Sequence, residues 1–324
     1  MAVYIYESKT GDAWKNLAVD KYFLENLNED DILLYFYVNH NAVIIGKNQN
    51  AWKECVLDAM EQDDVQLVRR HTGGGAVFHD NGNLNFSFIM HERIYDQARQ
   101  AAVIMRALEK FGIHTELSGR NDILANGRKF SGNAFGVYHC MRSHHGTLLI
   151  DADLNRLSEY LQVSPKKIQS KGIDSVRSRV CNLKALQPEI TVEKVKETLA
   201  FEFEQEYGKA QVFVFPPSAD EKVDKLYQEQ VSWEWRLGKA PKFDYQIEER
   251  LSFGEIQLLC SLQHGIIKEI QVYSDALDIQ LAEHVQQALK GIRFEVKAMS
   301  EALTVSTDDS KLQELAEYIK GLIL

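Results

Sequence analysis

The sequence predicts an α+β protein: a mixed β-sheet with helices on one face, followed by a smaller α/β unit. Three observations lead there. The runs Ile32–Val38, Ala42–Ile45, Val65–Arg69 and Gly82–Met90 are short and either apolar or alternating, as strands are. Tyr95–Phe111 instead repeats its apolar residues at helical spacing and stops at Gly112. Towards the C-terminus the pattern starts afresh, with a strand-like run at Gly265–Asp275 and helical spacing at Ile279–Leu289 and Lys311–Ile323.

The elements follow in order. Asn16–Leu27 has the apolar spacing of a helix. His40-Asn41 turns the chain between the first two strands. Gly46–Asn50 then leads into a helix expected from about Trp52 to Met60. Val65–Arg69 enters a glycine-rich turn, and the next strand leaves it. A strand near His114–Leu117 precedes a hairpin, and His144–Ile150 reads as a further strand. Thr191–Tyr207 is a helix expected to pack on the core. Val212–Asp220, with Pro216-Pro217, is a turn or linker, and the tryptophan-containing segment Trp233–Gly238 follows. The expected division is a larger unit over 1–248 and an accessory domain over 249–324.

Two segments carry chemistry. In Arg69-Arg70-His71-Thr72-Gly73-Gly74-Gly75-Ala76-Val77-Phe78-His79-Asp80 the three glycines let backbone pack close to a ligand. Turn amides and guanidinium groups suit an acidic group. No Gly-Lys-Ser/Thr follows, so this is not a phosphate loop of that kind, and the glycines are not spaced as in a dinucleotide fingerprint. A tight β-turn without a ligand fits the same residues. In the second segment, Gly119–Ala134, Asn126-Gly127 is a two-residue hairpin turn. Asp122 and Lys129 therefore stand on the two arms of one hairpin and can reach a common cleft. The carboxylate suits a magnesium ion carried on phosphates. The lysine suits a phosphate or a reacting carboxylate. The alternative is a solvated hairpin tip.

At these residues the chain resembles the lipoate–protein ligase A family. The resemblance rests on Arg-Arg-x-x-Gly-Gly-Gly-Ala-Val-x-His-Asp, on Asn83 and Asn85, on Gly119-Arg120-Asn121-Asp122, on Gly127-Arg128-Lys129-x-Ser131-Gly132, and on the run Lys171–Val180. It covers nearly the whole chain. It implies a catalytic domain like those of class II tRNA synthetases and biotin ligases, with a small α/β accessory domain that moves between two half-reactions. It implies ATP and Mg2+ as cofactors and lipoate or octanoate as substrate. Lys129, Arg70 and Asp122 would be catalytic. Arg70, Thr72, Gly75, Ala76, Val77, Phe78, Asn83, Asp122, Lys129 and Lys171 would hold ATP or the acyl-adenylate, with Asp122 also by the metal. Gly74, Gly75, His79, Lys129, Gly132, Ala134 and His145 would shape the lipoate pocket. Gln49 and Asn50 would lie on the active-site side. Threonine at 72, where many relatives carry serine, keeps the hydroxyl.

The implied partners are lipoyl carrier domains, either the E2 subunit of a 2-oxo acid dehydrogenase or the glycine-cleavage H protein. The formal charge of -10 disfavours nucleic acid as a partner. No apolar run approaches membrane-span length, and the first residues lack a secretory pattern. The four cysteines are widely spaced, which disfavours a zinc knuckle and suits a reducing cytoplasm. A monomer is expected. The basic stretch Lys166–Lys171, with Arg177 and Arg179, would either receive an acidic carrier or phosphates, or be a solvated loop.

Two rivals use the same residues differently. An acyltransferase would form a thioester on Cys140, close after the Lys129 hairpin and flanked by His139 and His144-His145. A non-enzymatic adaptor would only bind carrier domains.

Overall fold

The computed structural model describes residues 2–119, 121–161, 180–237, 245–305 and 309–322. Arg120 and the whole basic stretch, Lys166–Lys171 with Arg177 and Arg179, lie outside these residues.

The main sheet is built from β1 (Val3–Glu7), β2 (Ile32–Tyr37), β6 (Asn83–His91), β7 (Thr115–Ser118), β8 (Asp122–Ala125), β9 (Arg128–Tyr138), β10 (Met141–Leu149) and β11 (Gln211–Val212). Its order is β11-β1-β2-β6-β10-β9-β8-β7. β1 pairs in parallel with β2 and β11, and the other neighbours are antiparallel. A second sheet holds β3 (Ala42–Ile45) between β4 (Gln66–Arg69) and β5 (Val77–His79).

The helices cover both faces of the main sheet, not the one face expected. All six residues of β2 are buried. Ile32, Leu34 and Phe36 face a core closed by α4 (Gln97–Glu109) and the helix Val192–Tyr207. Leu33, Tyr35 and Tyr37 face a second core closed by α1 (Ala13–Asn26) and the helix Ala219–Val231. Period-two alternation sends successive side chains to opposite faces. A strand apolar on both sides therefore needs cover on both. Asp12 and Asp96 cap α1 and α4, each accepting two backbone N–H groups.

Three local expectations change. The helix expected over Trp52–Met60 is two short ones, Ala51–Glu54 and Leu57–Gln62. The chain breaks where Cys55 bridges Leu161 and Val56 N–H donates to Tyr160 O at 2.9 Å. Val212–Asp220 turns at Pro216–Ala219, where Ala219 N–H donates to Pro216 O at 2.9 Å, but is no linker. Val212 ends β11, Phe213 and Phe215 pack around Phe23, and Ala219 starts a helix. The helix Val296–Val305 and the strands β12 (Tyr245–Leu251) and β13 (Gly254–Gln263) were not foreseen.

With β14 (Ile266–Ser274), β12 and β13 form an antiparallel sheet. The helices Leu281–Leu289, Val296–Val305 and Ser310–Lys320 cover one of its faces in a core of its own. β12 pairs along its full length with β13, so a division at 248/249 would cut a strand. This unit touches the glycine turn directly. Gly74 N–H donates to Ala276 O at 3.0 Å. A side chain at Gly73 would meet Ala276 O at 2.3 Å.

Candidate active site

The glycine turn links β4 to β5, which flank β3 on either side. Its shape is held from within. Arg70 Nε and Nη2 donate to Gly73 O at 3.0 and 2.7 Å, and Nη2 also donates to Gly75 O at 2.8 Å. Nη1 reaches Ile44 O at 3.3 Å. Arg69 does the same for the preceding loop, donating to the carbonyls of Gly46, Lys47, Gln49, Trp235 and Arg236. Burial pushes both guanidinium groups down to about 10, so both stay charged at neutral pH. The arginine pair, expected to offer donors to an acidic ligand, is thus engaged with backbone carbonyls. Gly74 sits at φ +98°, and a Cβ on Gly46 would stand 2.1 Å from Gly74 O, so both positions need glycine.

The β8–β9 hairpin supplies the opposite wall. Asn126 and Gly127, at φ 50° and 70°, form its two-residue turn. The register jumps between Ile123 and Leu124: Ile123 pairs with Ser131, yet Leu124 pairs with Lys129. Phe130 is the extra residue of a β-bulge, buried in the core under α4. The bulge puts Lys129 on the same face as Gly132 and Asp122, which strict alternation would forbid. Lys129 Nζ lies 2.7 Å from Asp122 Oδ1. The approach is outside hydrogen-bond direction, and that buried oxygen takes no hydrogen bond among the described residues. Gly132 makes room for the lysine, because a Cβ there would stand 2.9 Å from Nζ. Beyond the undescribed segment the chain returns to this point, where Cys181 N–H donates to Lys129 O at 2.8 Å.

Between the two walls lies a cavity of about 160 Å³, roughly ten times what one water needs. Arg70, Gly74, Gly75, Ala76, Val77, His79, Lys129, Gly132, Ala134 and His145 all line it. Apolar surface dominates: Leu17, Ile44, Val77 and Ala134 stand beside the polar groups. That mixture suits an acyl chain with a polar end.

The other expected residues stand at one remove. Thr72 is buried, and its hydroxyl meets His145 Nε2 at 2.8 Å. Asp122 borders a neighbouring cavity with Gly119, Asn121 and His144. Asn83 is buried and donates to Asn85 Oδ1 at 3.1 Å. Phe78, on the far side of β5 from Val77 and His79, packs on Tyr160. Gln49 binds Gly46 N–H at 2.8 Å and braces the loop. Sequence reading missed Leu17, Tyr37, Ile44, Asn121, Asn133, Gly146 and Thr147 in the lining. It also missed Asp20, whose carboxylate fixes His145 Nδ1 at 3.1 Å. The helical spacing that buries Leu17 also places Asp20 towards the site, but nothing in the sequence pairs it with position 145.

Cys140 stands apart. It follows His139, at φ 49°, in the hairpin between β9 and β10. His145 is five residues away along β10, about 16 Å at the rise of a strand. Burial, followed by the Glu29 carboxylate that accepts its hydrogen bond at 3.3 Å, pushes the thiol pKa up. A nucleophilic cysteine needs the opposite shift.

A glycine turn facing a lysine across an apolar cavity can take an acyl chain with its polar end beside a positive charge. The family model for the lipoyl protein ligase A/B catalytic domain matches residues 12–204, and that for the bacterial lipoate protein ligase C-terminus matches 240–319. The chain belongs to the lipoate–protein ligase A family. It is 36% identical to a lipoate-protein ligase A of Psychrobacter cryohalolentis, with 99% of each chain covered. Among solved structures, P. falciparum LipL1 in complex with lipoate matches with TM-score 0.88 and 29% identity over 99% of this chain and 100% of that one. A lipoate-protein ligase A bound with ATP matches with TM-score 0.63 and 26% identity over 74% and 99%. A bipartite Thermoplasma acidophilum ligase, described with its E2 lipoyl domain, matches with TM-score 0.66 and 26% identity over 75% and 98%.

Proposed function

We propose that the protein is an ATP-dependent lipoate–protein ligase. Lipoate or octanoate is activated first: a carboxylate oxygen attacks the α-phosphorus of ATP, and pyrophosphate leaves. The ε-amine of a carrier lysine then attacks the acyl carbon of the acyl-AMP, AMP leaves, and an amide forms. The observation that carries this reading is the position of Lys129 on the cavity wall, facing the glycine turn in a chain of this family.

Both half-reactions need positive charge at the junction of carboxylate and phosphate. The Lys129 ammonium provides it in the first step, where two anions meet, and polarises the acyl carbonyl in the second. Arg70 acts through the turn it braces. Its carbonyl contacts fix where the amides of Gly75, Ala76 and Val77 point. The apolar lining holds the acyl chain at about 0.8 kcal/mol per methylene, which makes octanoate an effective substitute. The Asp122 carboxylate, whose Oδ1 takes no hydrogen bond among the described residues, suits a magnesium ion held through the phosphates. When bound, that ion would neutralise phosphate charge.

The acceptors are lipoyl carrier domains, as the Thermoplasma pair supports. Four widely spaced cysteines suit a cytoplasmic enzyme. The pairing of β12 with β13 along its length supports a start of the accessory domain at or before Tyr245. Incubation of the protein with lipoate, ATP, Mg2+ and an E2 lipoyl domain tests the reading by mass spectrometry. A lipoyl mass increment on the carrier lysine that requires ATP supports it. Unmodified carrier with folded enzyme would refute it.

A further inference from the structure

His79 lines the cavity and is 4% exposed, yet its Nε2 has no hydrogen-bond partner among the described residues. Buried polar atoms without partners are rare in native proteins, so this one calls for a reason. The rest of the ring is held firmly. Its Nδ1 lies 3.1 Å from the side-chain amide of Asn39. Asn39 is fully buried, and its Oδ1 accepts from Asn16 Nδ2 at 2.9 Å.

The direction of this chain is settled at its far end. Asn16 Nδ2 also donates to the carbonyl of Thr10 at 3.1 Å, and a carbonyl can only accept. Asn16 Oδ1 accepts from the hydroxyls of Ser8 at 2.6 Å and Tyr35 at 3.2 Å. Asn16 therefore presents its amide N–H to Asn39, and Asn39 must answer with its oxygen. Its own NH2 is then turned to His79, whose Nδ1 can only accept. A neutral imidazole has one N–H, so the hydrogen resides on Nε2. Burial and the nearby Arg70 and His145 push the imidazole pKa down to about 3, which keeps the ring neutral in the working range. The groups facing the ring are Asn39 from the β2–β3 turn, Arg70 from the glycine turn and His145 from β10. Asn39 and Arg70 present donors, and no described residue accepts from Nε2.

We propose that Asn16 and Asn39 are positioning residues that set His79 as a fixed Nε2–H donor, and that its acceptor is an anionic oxygen of the bound ligand. The inference rests on the ligase reading for the identity of that ligand. Two oxygens share the required chemistry: the carboxylate of the acyl acid and a phosphate of the nucleotide. A neutral donor beside Arg70 is preferable to a second cation, because it adds direction without further like-charge repulsion. His79 is the donor, and Asn39 and Asn16 act only through it.

The test is imidazole 15N NMR on the intact protein, free, with octanoate alone, and with a non-hydrolysable ATP analogue alone. We expect the Nε2–H tautomer of His79 in the free protein, unprotonated down to pH 5. One of the two ligands should shift the Nε2–H resonance, and that arm identifies the source of the oxygen. The variant Asn39→Asp replaces the amide donor with an acceptor and should move the proton to Nδ1. It should raise the KM of the identified ligand roughly tenfold, the worth of one good hydrogen bond, with kcat changed less than about threefold. An Nδ1–H tautomer in the unaltered protein overturns the proposal without touching the ligase reading. So does an unshifted Nε2–H when other cavity resonances respond to both ligands. Absence of any response to either ligand would overturn the ligase reading and the ligand assignment with it.

Discussion

Lys129 Nζ stands 2.7 Å from Asp122 Oδ1 across the β8–β9 hairpin, with the bulge at Phe130 turning the lysine onto the aspartate's face. Each side chain is about one-third exposed. A pair so open to solvent contributes little to stability, about 0–1 kcal/mol; under the proposed function its value is to place both charges where phosphates would arrive.

Asp122→Asn keeps the shape and removes the charge. If the carboxylate helps hold the metal, the variant should need several-fold more Mg2+ for half-maximal adenylation. Its kcat should fall about a hundredfold. Titration of Mg2+ at fixed ATP reads this directly, and an unchanged Mg2+ requirement would remove Asp122 from the metal's surroundings.

Gly132→Ala separates placement of the lysine from folding. The added Cβ would stand 2.9 Å from Lys129 Nζ and 3.0 Å from its Cε, both at the flexible end of the side chain. The lysine can move aside at little cost, so stability should change by less than about 1 kcal/mol. Activity should fall by more than about tenfold, since small displacements of a positioned group are costly. Thermal denaturation beside steady-state kinetics gives both numbers.

Arg70→Ala should behave in the opposite way. The guanidinium reaches three carbonyls, those of Gly73, Gly75 and Ile44. Its removal takes buried donors away from them and leaves the turn unbraced, for a loss of about 2–4 kcal/mol. Arg70→Lys should recover little, because an ammonium cannot reproduce the fork. Chemical denaturation of both variants checks this, and wild-type stability in Arg70→Ala would contradict the bracing role.

His79 and His144 are both fully buried, and burial pushes each imidazole down to about 3. In the unfolded chain each would titrate near 6.5. Between these values the unfolded state binds the extra protons, so stability rises with pH and is complete only above about 6.5. Each group contributes a slope of about 1.4 kcal/mol per pH unit inside that window. Denaturant midpoints at pH 7, 6 and 5 should fall progressively, and more gently in His144→Gln.

Much of this was legible in the sequence, for physical reasons. Asn126-Gly127 has a strong turn preference, and that alone puts Asp122 and Lys129 on facing arms. The three glycines announced a close backbone approach, which Gly46 and Gly74 display. Other parts depend on tertiary partners that no local pattern encodes. Of the second helical layer, α1 is marked by its apolar spacing, but Ala219–Val231 is mostly polar and follows Pro216-Pro217, which hides it. The carbonyl partners of Arg69 lie up to 167 residues away, and Arg70 meets Gly73 and Gly75 only once the turn has folded back on it. Asp20 and Asn39 reach His145 and His79 across 125 and 40 residues. The bulge at Phe130 leaves no mark in the alternation of a strand rich in small and polar residues.

The most direct test of the central claim is lipoate-dependent ATP–pyrophosphate exchange, comparing the intact protein with Lys129→Ala. The account predicts exchange that needs lipoate and Mg2+, and a fall of about a thousandfold or more in the variant, which should remain folded. Exchange that persists in Lys129→Ala, or none in the intact protein, would contradict it.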